Sequence, residues 1–106
     1  MESKTKARYE EKARIIKALA HPSRLMVVEE LFNGRRCVAE LTALVGSDTS
    51  TVSKHLNVLK NAGLVVVEKK GTTVFYHLKM PCLTDFLRCV ESVMATNASG
   101  LMEIIN

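Results

Sequence analysis

At Gly63 the apolar pattern changes from helical spacing to a short continuous strand-like run, and few folds accommodate that change within so short a stretch. Turning successive residues by about 100° from Thr49 onward brings Val52, Leu56 and Leu59 together and sends Ser50, Lys54, Asn57 and Asn61 to the opposite side. Beyond Gly63, Leu64 to Val67 and Thr73 to Leu78 read as two strands joined by Glu68, Lys69, Lys70, Gly71 and Thr72, so a helix runs directly into a β-hairpin with a basic, glycine-bearing tip. Asp48 or Thr49 offers the helix an N-cap oxygen, and Gly63 sits where it stops. The outward side carries small or flexible hydrogen-bonding residues and no carboxylate, the types that reach base edges and phosphates from a DNA major groove. Periodicity by itself fits an ordinary amphipathic surface helix equally, so the rest of the chain must separate the two.

A chain of 106 residues, 47% hydrophobic and 25% charged, is expected to form a single globular domain over residues 1–106. The formal charge of +4 is unevenly spread. Residues 1–36 hold nine Lys or Arg against five acids and residues 37–80 five against three, whereas residues 81–106 hold one against three. The basic side is therefore the one suited to a polyanion. No apolar run approaches the roughly 18 residues of a membrane span, and the first residues, MESKTKARYEEK, lack the apolar core of a secretory signal. The expectation is a cytoplasmic protein with no membrane partner.

In chain order, residues 5–20 read as a helix that becomes apolar only towards Ile15, Ile16 and Leu19. His21, Pro22 and Ser23 break it and open a second, with Pro22 in the first turn. Leu25, Met26, Val27, Val28, Leu31 and Phe32 leave that helix little polar face, so it should be central, and Asn33 and Gly34 end it. Cys37 to Val45 reads as a third helix with Val38, Leu41, Leu44 and Val45 inward, and Gly46, Ser47 and Asp48 turn the chain into the reading helix. Residues 37–62 thus form a helix-turn-helix and residues 64–79 a wing. Residues 81–97 form a last helix with Leu83, Phe86, Leu87, Val90 and Met94 in one stripe. Whether Leu101, Met102, Ile104 and Ile105 pack or fray stays open. The fold expected is mainly α with a small β-hairpin, a winged helix-turn-helix.

The segments HPSRL, CVAEL, STVSKHLNVLKNAGLV, KKGTTVFYHL and MPC, spread over roughly residues 13–96, resemble the ArsR/SmtB family of bacterial metalloregulatory repressors. The resemblance implies a homodimer built from the first and last helices. It also implies an inverted-repeat operator read by one helix from each protomer, and an inducer whose binding weakens the DNA complex. From the residues themselves, Ser50, Thr51, Ser53, Lys54 and Asn57 lie on or near the outward side, with Ser50, Ser53 and Lys54 placed for bases and phosphates and Asn57 on the backbone. Lys69 and Lys70 would meet phosphate or minor groove, or else merely solvate the hairpin tip. His55 lies beside the apolar stripe and reads as a packing and hydrogen-bonding residue.

No cofactor is required, and the inducer is expected at the thiols. Where the family's arsenic sensors carry Cys-Val-Cys-Asp-Leu and a further Cys, this chain has Cys37, Val38, Ala39, Glu40, Leu41 and Thr42, so only the first thiol matches. The other candidates are Cys82 and Cys89. If both are helical, seven residues place their Cα atoms about 10 Å apart, beyond the roughly 7 Å a disulfide tolerates. Cys37, Cys82 and Cys89 are therefore expected to meet across elements or protomers as a soft-thiolate site for As(III) or Sb(III), or as a redox or persulfide switch. Alternatively, each is a small packed hydrophobe. The family's last-helix zinc site is not matched, because its positions hold Met80, Cys82, Val93 and Thr96. An enzyme is not expected, since Cys37 has no evident base and no phosphate-binding loop is present. A winged helix used only for protein contact is disfavoured by Lys54 and Asn57.

Overall fold

The computed structural model describes residues 1–105, with side chains described through Gly100. Eight elements follow in order: α1 Ser3–Leu19, α2 Pro22–Leu31, β1 Arg36–Cys37, α3 Val38–Val45, α4 Thr49–Asn61, β2 Val65–Lys70, β3 Thr73–Leu78 and α5 Leu83–Ile105. The helices surround one apolar centre, and a three-stranded antiparallel sheet in the order β1-β3-β2 leans against them. Val27, Val28, Leu41, Val52, Leu56 and Leu59 are all fully buried, so α2, α3 and α4 share a single core. Leu64 and Val65 carry it into the wing, and Leu83 and Leu87 attach α5 to it.

The helix-to-hairpin junction is built from α4's C-terminus. Leu64 N–H donates to Leu59 C=O at 3.0 Å and Gly63 N–H to Lys60 C=O at 2.9 Å, the paired bonds of a Schellman stop. That stop needs left-handed backbone at Gly63, which has φ +79°. In the hairpin Lys70 pairs with Thr73, leaving a two-residue loop opened by Gly71 at φ +62°.

Four expectations are corrected. Cys37 does not open a helix: Arg36 and Cys37 pair with Tyr76 and Phe75 on the free edge of β3, and Cys37 then caps α3. Two residues are too few for any period to show. The last helix starts at Leu83, because Pro81 and Cys82 form the turn before it and Phe86 N–H donates to Cys82 C=O at 3.3 Å. It runs to Ile105, beyond residue 97. Met26 and Leu44, read as inward, are 46% and 40% exposed, since the short α2 and α3 bury only a narrow stripe. The question of side-chain packing by Leu101, Met102, Ile104 and Ile105 lies outside the described residues.

Candidate DNA-reading surface

The reading helix is anchored at its start by Asp48, whose Oδ1 accepts the Thr51 N–H at 2.8 Å and lies 3.4 Å from the Ser50 hydroxyl. These bonds, chiefly those with Thr51, hold the Asp48 carboxyl below the usual carboxylate range. One orphan donor of the helix start is thereby satisfied, and the carboxylate favours the positive end of the helix dipole. With Val52, Leu56 and Leu59 buried, the opposite side must face solvent.

Ser50, Thr51, Lys54 and Asn57 are indeed exposed on that side. Ser53 is half-buried on the flank, so it is less available to a groove than the other four. His55, read as a packing residue, is half-buried, with its ring 4.3 Å from that of His21. In the wing Lys69 and Lys70 are both exposed, but Lys70 Nζ lies 3.7 Å from Glu68 Oε1, which offsets part of its charge. The same carboxylate accepts from Arg35 Nη1 at 3.2 Å, and the Arg35 guanidinium sits 4.4 Å above the Phe75 ring. Arg35 thus braces the root of the wing. On the other flank of α4, Arg14 holds Glu11 and donates Nη1 to Asn61 C=O at 3.4 Å, tying α1 to the end of the reading helix. Sequence reasoning passed over Arg14, Arg24 and Arg35. The HPSRL segment contained Arg24 in plain view, but nothing in a linear pattern shows which carbonyl or ring a guanidinium will meet.

The three thiols are all free. Cys37 is half-buried at the head of α3, in an open cleft with Val38, Thr73 and Val74, and its N–H donates to Glu40 Oε1 at 3.0 Å. Cys82 is exposed in the turn before α5, and Cys89 is exposed on α5 itself. Cys82 stands one residue ahead of the first helical position of α5. Among the described residues no group of three or more His, Cys, Asp or Glu side chains is arranged to hold a metal ion within one protomer.

Residues 21–67, from the start of α2 into β2, match the family described as bacterial regulatory protein, arsR family. An HTH-type transcriptional regulator of Methanocaldococcus jannaschii is 36% identical over 87 residues, covering 81% of this chain and 98% of that one. The chain belongs to the ArsR/SmtB family of winged-helix transcriptional repressors. Among solved structures of such regulators, the crystal structure of Mycobacterium tuberculosis Rv0081 superposes with a TM-score of 0.80 at 34% identity, covering 89% of this chain and 95% of that one. The solution structure of a homodimeric winged helix-turn-helix domain from Mycobacterium bovis, described as a possible ArsR-family regulator, also gives 0.80, at 27% identity over 94% of this chain and 93% of that one. In this ArsR/SmtB chain, α3 and α4 are accordingly the helix-turn-helix, and β2 and β3 the wing.

Proposed function

We propose that this chain acts as a cytoplasmic homodimer that occupies an inverted-repeat operator and leaves it when its thiols react with an inducer. The observation that carries the DNA-binding part is the exposed row Ser50, Thr51, Lys54 and Asn57 on a helix whose other face is wholly buried, beside a wing bearing Lys69 and Lys70. Such a helix can enter a major groove, where its first-turn residues meet base edges while the lysines meet phosphate.

Dimerisation through α1 and α5 is supported by the apolar side chains these helices leave uncovered. Phe86, Val90, Val93 and Met94 of α5 are 41–62% exposed, and Ile16 of α1 is 53% exposed. Ile16, Phe86, Val90 and Met94, together with Leu19 and Leu25, border one groove, an apolar patch of the kind that marks a protein interface. Two-fold symmetry then sets the two reading helices one or two turns of DNA apart.

For the inducer, the proposal is a soft-thiolate site formed by Cys37, Cys82 and Cys89 across the dimer, taking As(III) or Sb(III). The exposure of Cys82 and Cys89 without a three-ligand cluster in the described residues of one protomer favours a second reading, oxidation or persulfidation of individual thiols. Titration of the reduced protein on the DNA upstream of its own gene, with arsenite and a persulfide donor in parallel, separates the two. Arsenite-driven release that survives Cys37→Ser undiminished removes Cys37 from the metalloid site.

A further inference from the structure

The end of α1, the start of α2 and the middle of α4 converge on three polar side chains that the DNA surface does not use. His21, with extended backbone at φ −153°, caps α2: its Nδ1 accepts the Ser23 N–H at 3.0 Å. Arg24, in the first turn of α2, donates Nε to Ala18 C=O of α1 at 2.6 Å, and its Nη1 lies 3.3 Å from Nδ1 of His55 on α4. The two imidazole rings are 4.3 Å apart between centroids, tilted by 44°. All three residues are half-buried.

A guanidinium donates and never accepts, so its contact with His55 is a hydrogen bond only when Nδ1 of His55 carries a lone pair. The Ser23 N–H makes the same demand on Nδ1 of His21. The arrangement therefore belongs to two neutral imidazoles, each with its proton on Nε2.

We propose that His21, Arg24 and His55 form a proton-sensitive clasp that positions the reading helix, so that operator affinity is highest with the His55 imidazole neutral and falls on acidification. The proposal rests on the DNA-binding reading above. Protonating His55 turns an acceptor into a donor and sets a second cation 3.3 Å from the guanidinium. The charged groups around the pair offer no relief. From α1, Arg14 and Lys17 line the groove beside Arg24; from α2, Arg24 itself faces the rings; on α4, Lys54 precedes His55. Glu11 of α1 is engaged by Arg14, and among the described residues no carboxylate bonds either histidine. Burial, then the nearness of the His21 ring and of the Arg24 guanidinium, pulls the His55 imidazole below its ordinary value. The sign follows: a depressed histidine leaves the clasp intact above the ordinary value of about 6.5 and loses it as pH falls through the folded value.

Phosphate attraction alone would act oppositely, since added protons strengthen contact with a polyanion. The test is fluorescence anisotropy of the wild-type dimer on a duplex from the DNA upstream of its own gene, at constant ionic strength, from about pH 7.5 to about pH 5.5. Expected is a loss of affinity that grows as pH falls and reaches about tenfold across that range, the size of an ordinary coupling between two sites. In His55→Gln, whose amide oxygen accepts from Arg24 at every pH, binding at the higher pH stays within about threefold and the profile is flat. A wild-type affinity that holds or rises in acid overturns the clasp, as does a fall of equal size in His55→Gln. NMR of the free wild-type protein provides an independent measurement should His55→Gln unfold: the ring of His55 and the amides of Lys54 and Leu56 should shift together. A His55 ring that titrates without moving those amides overturns the proposal. Failure to bind the duplex even at pH 7.5 instead removes the DNA-binding reading, leaving the NMR titration to judge the clasp.

Discussion

Asp48 and Lys54 show how differently two charged residues six positions apart serve one helix. Asp48 acts on folding. Its carboxylate is held below the ordinary range by hydrogen bonds to Thr51, so its contribution is present above the unfolded carboxyl value and disappears as pH falls through the folded one. Asp48→Ala should therefore lower the melting temperature at pH 7, and the gap to wild type should close in acid; a gap equally wide at about pH 3 would show that the cap's charge is irrelevant. Lys54, exposed on the reading face, acts on binding. Lys54→Ala should weaken operator binding by roughly 1–3 kcal/mol in titrations at fixed salt while leaving thermal unfolding unchanged. Gly63 is a third case, where a residue acts through its backbone. Nothing lies within 4 Å of an added Cβ, yet φ is +79°, so Gly63→Ala should cost about 1 kcal/mol from left-handed strain alone, measurable by urea unfolding. All three residues were legible in sequence because each role is local: a cap, a solvent-facing charge and a helix stop.

At the scale of elements, legibility depended on length. α4 spans 13 residues, enough for three turns of apolar spacing to declare one face, and its bounds agree closely with the sequence reading. β1 has two residues, and only its pairing with Tyr76 and Phe75 across the sheet makes it a strand. The wing shows the same division. Its two strand-like runs and glycine-bearing tip were readable, but the brace of Arg35 on Glu68 and Phe75 joins residues 33 and 40 positions apart, and no local pattern encodes that. The wing's part in binding can be measured through salt. Each phosphate neutralised contributes about 0.9 to the slope of log affinity against log salt, so Lys69→Ala with Lys70→Ala should flatten it by up to about 2 per protomer. Lys70 gives less than Lys69 because Glu68 stands 3.7 Å away. An unchanged slope would place the wing off the DNA.

For the whole molecule, the decisive property is the face it leaves open. Ile16, Phe86, Val90 and Met94 stay exposed on a protein whose buried apolar residues already supply a well-defined core. Val90→Asp should convert the dimer to a folded monomer in sedimentation experiments, and operator affinity should drop steeply as the two half-sites lose their link; a dimer that persists would exclude α5 from the interface. Sequence by itself determined the helical periods, the stops at His21–Pro22 and Gly63, the strand-like runs of the wing and hence the winged helix, because these follow from nearest neighbours along the chain. Only the tertiary structure decided that Cys37 leaves a strand to cap α3, that Cys82 lies outside α5, and that Arg24 and His21 reach His55. The physical reason is that a side chain's partner is set by where other elements pack. The change of pattern at Gly63 can announce a helix and a wing, but not what holds that helix in place.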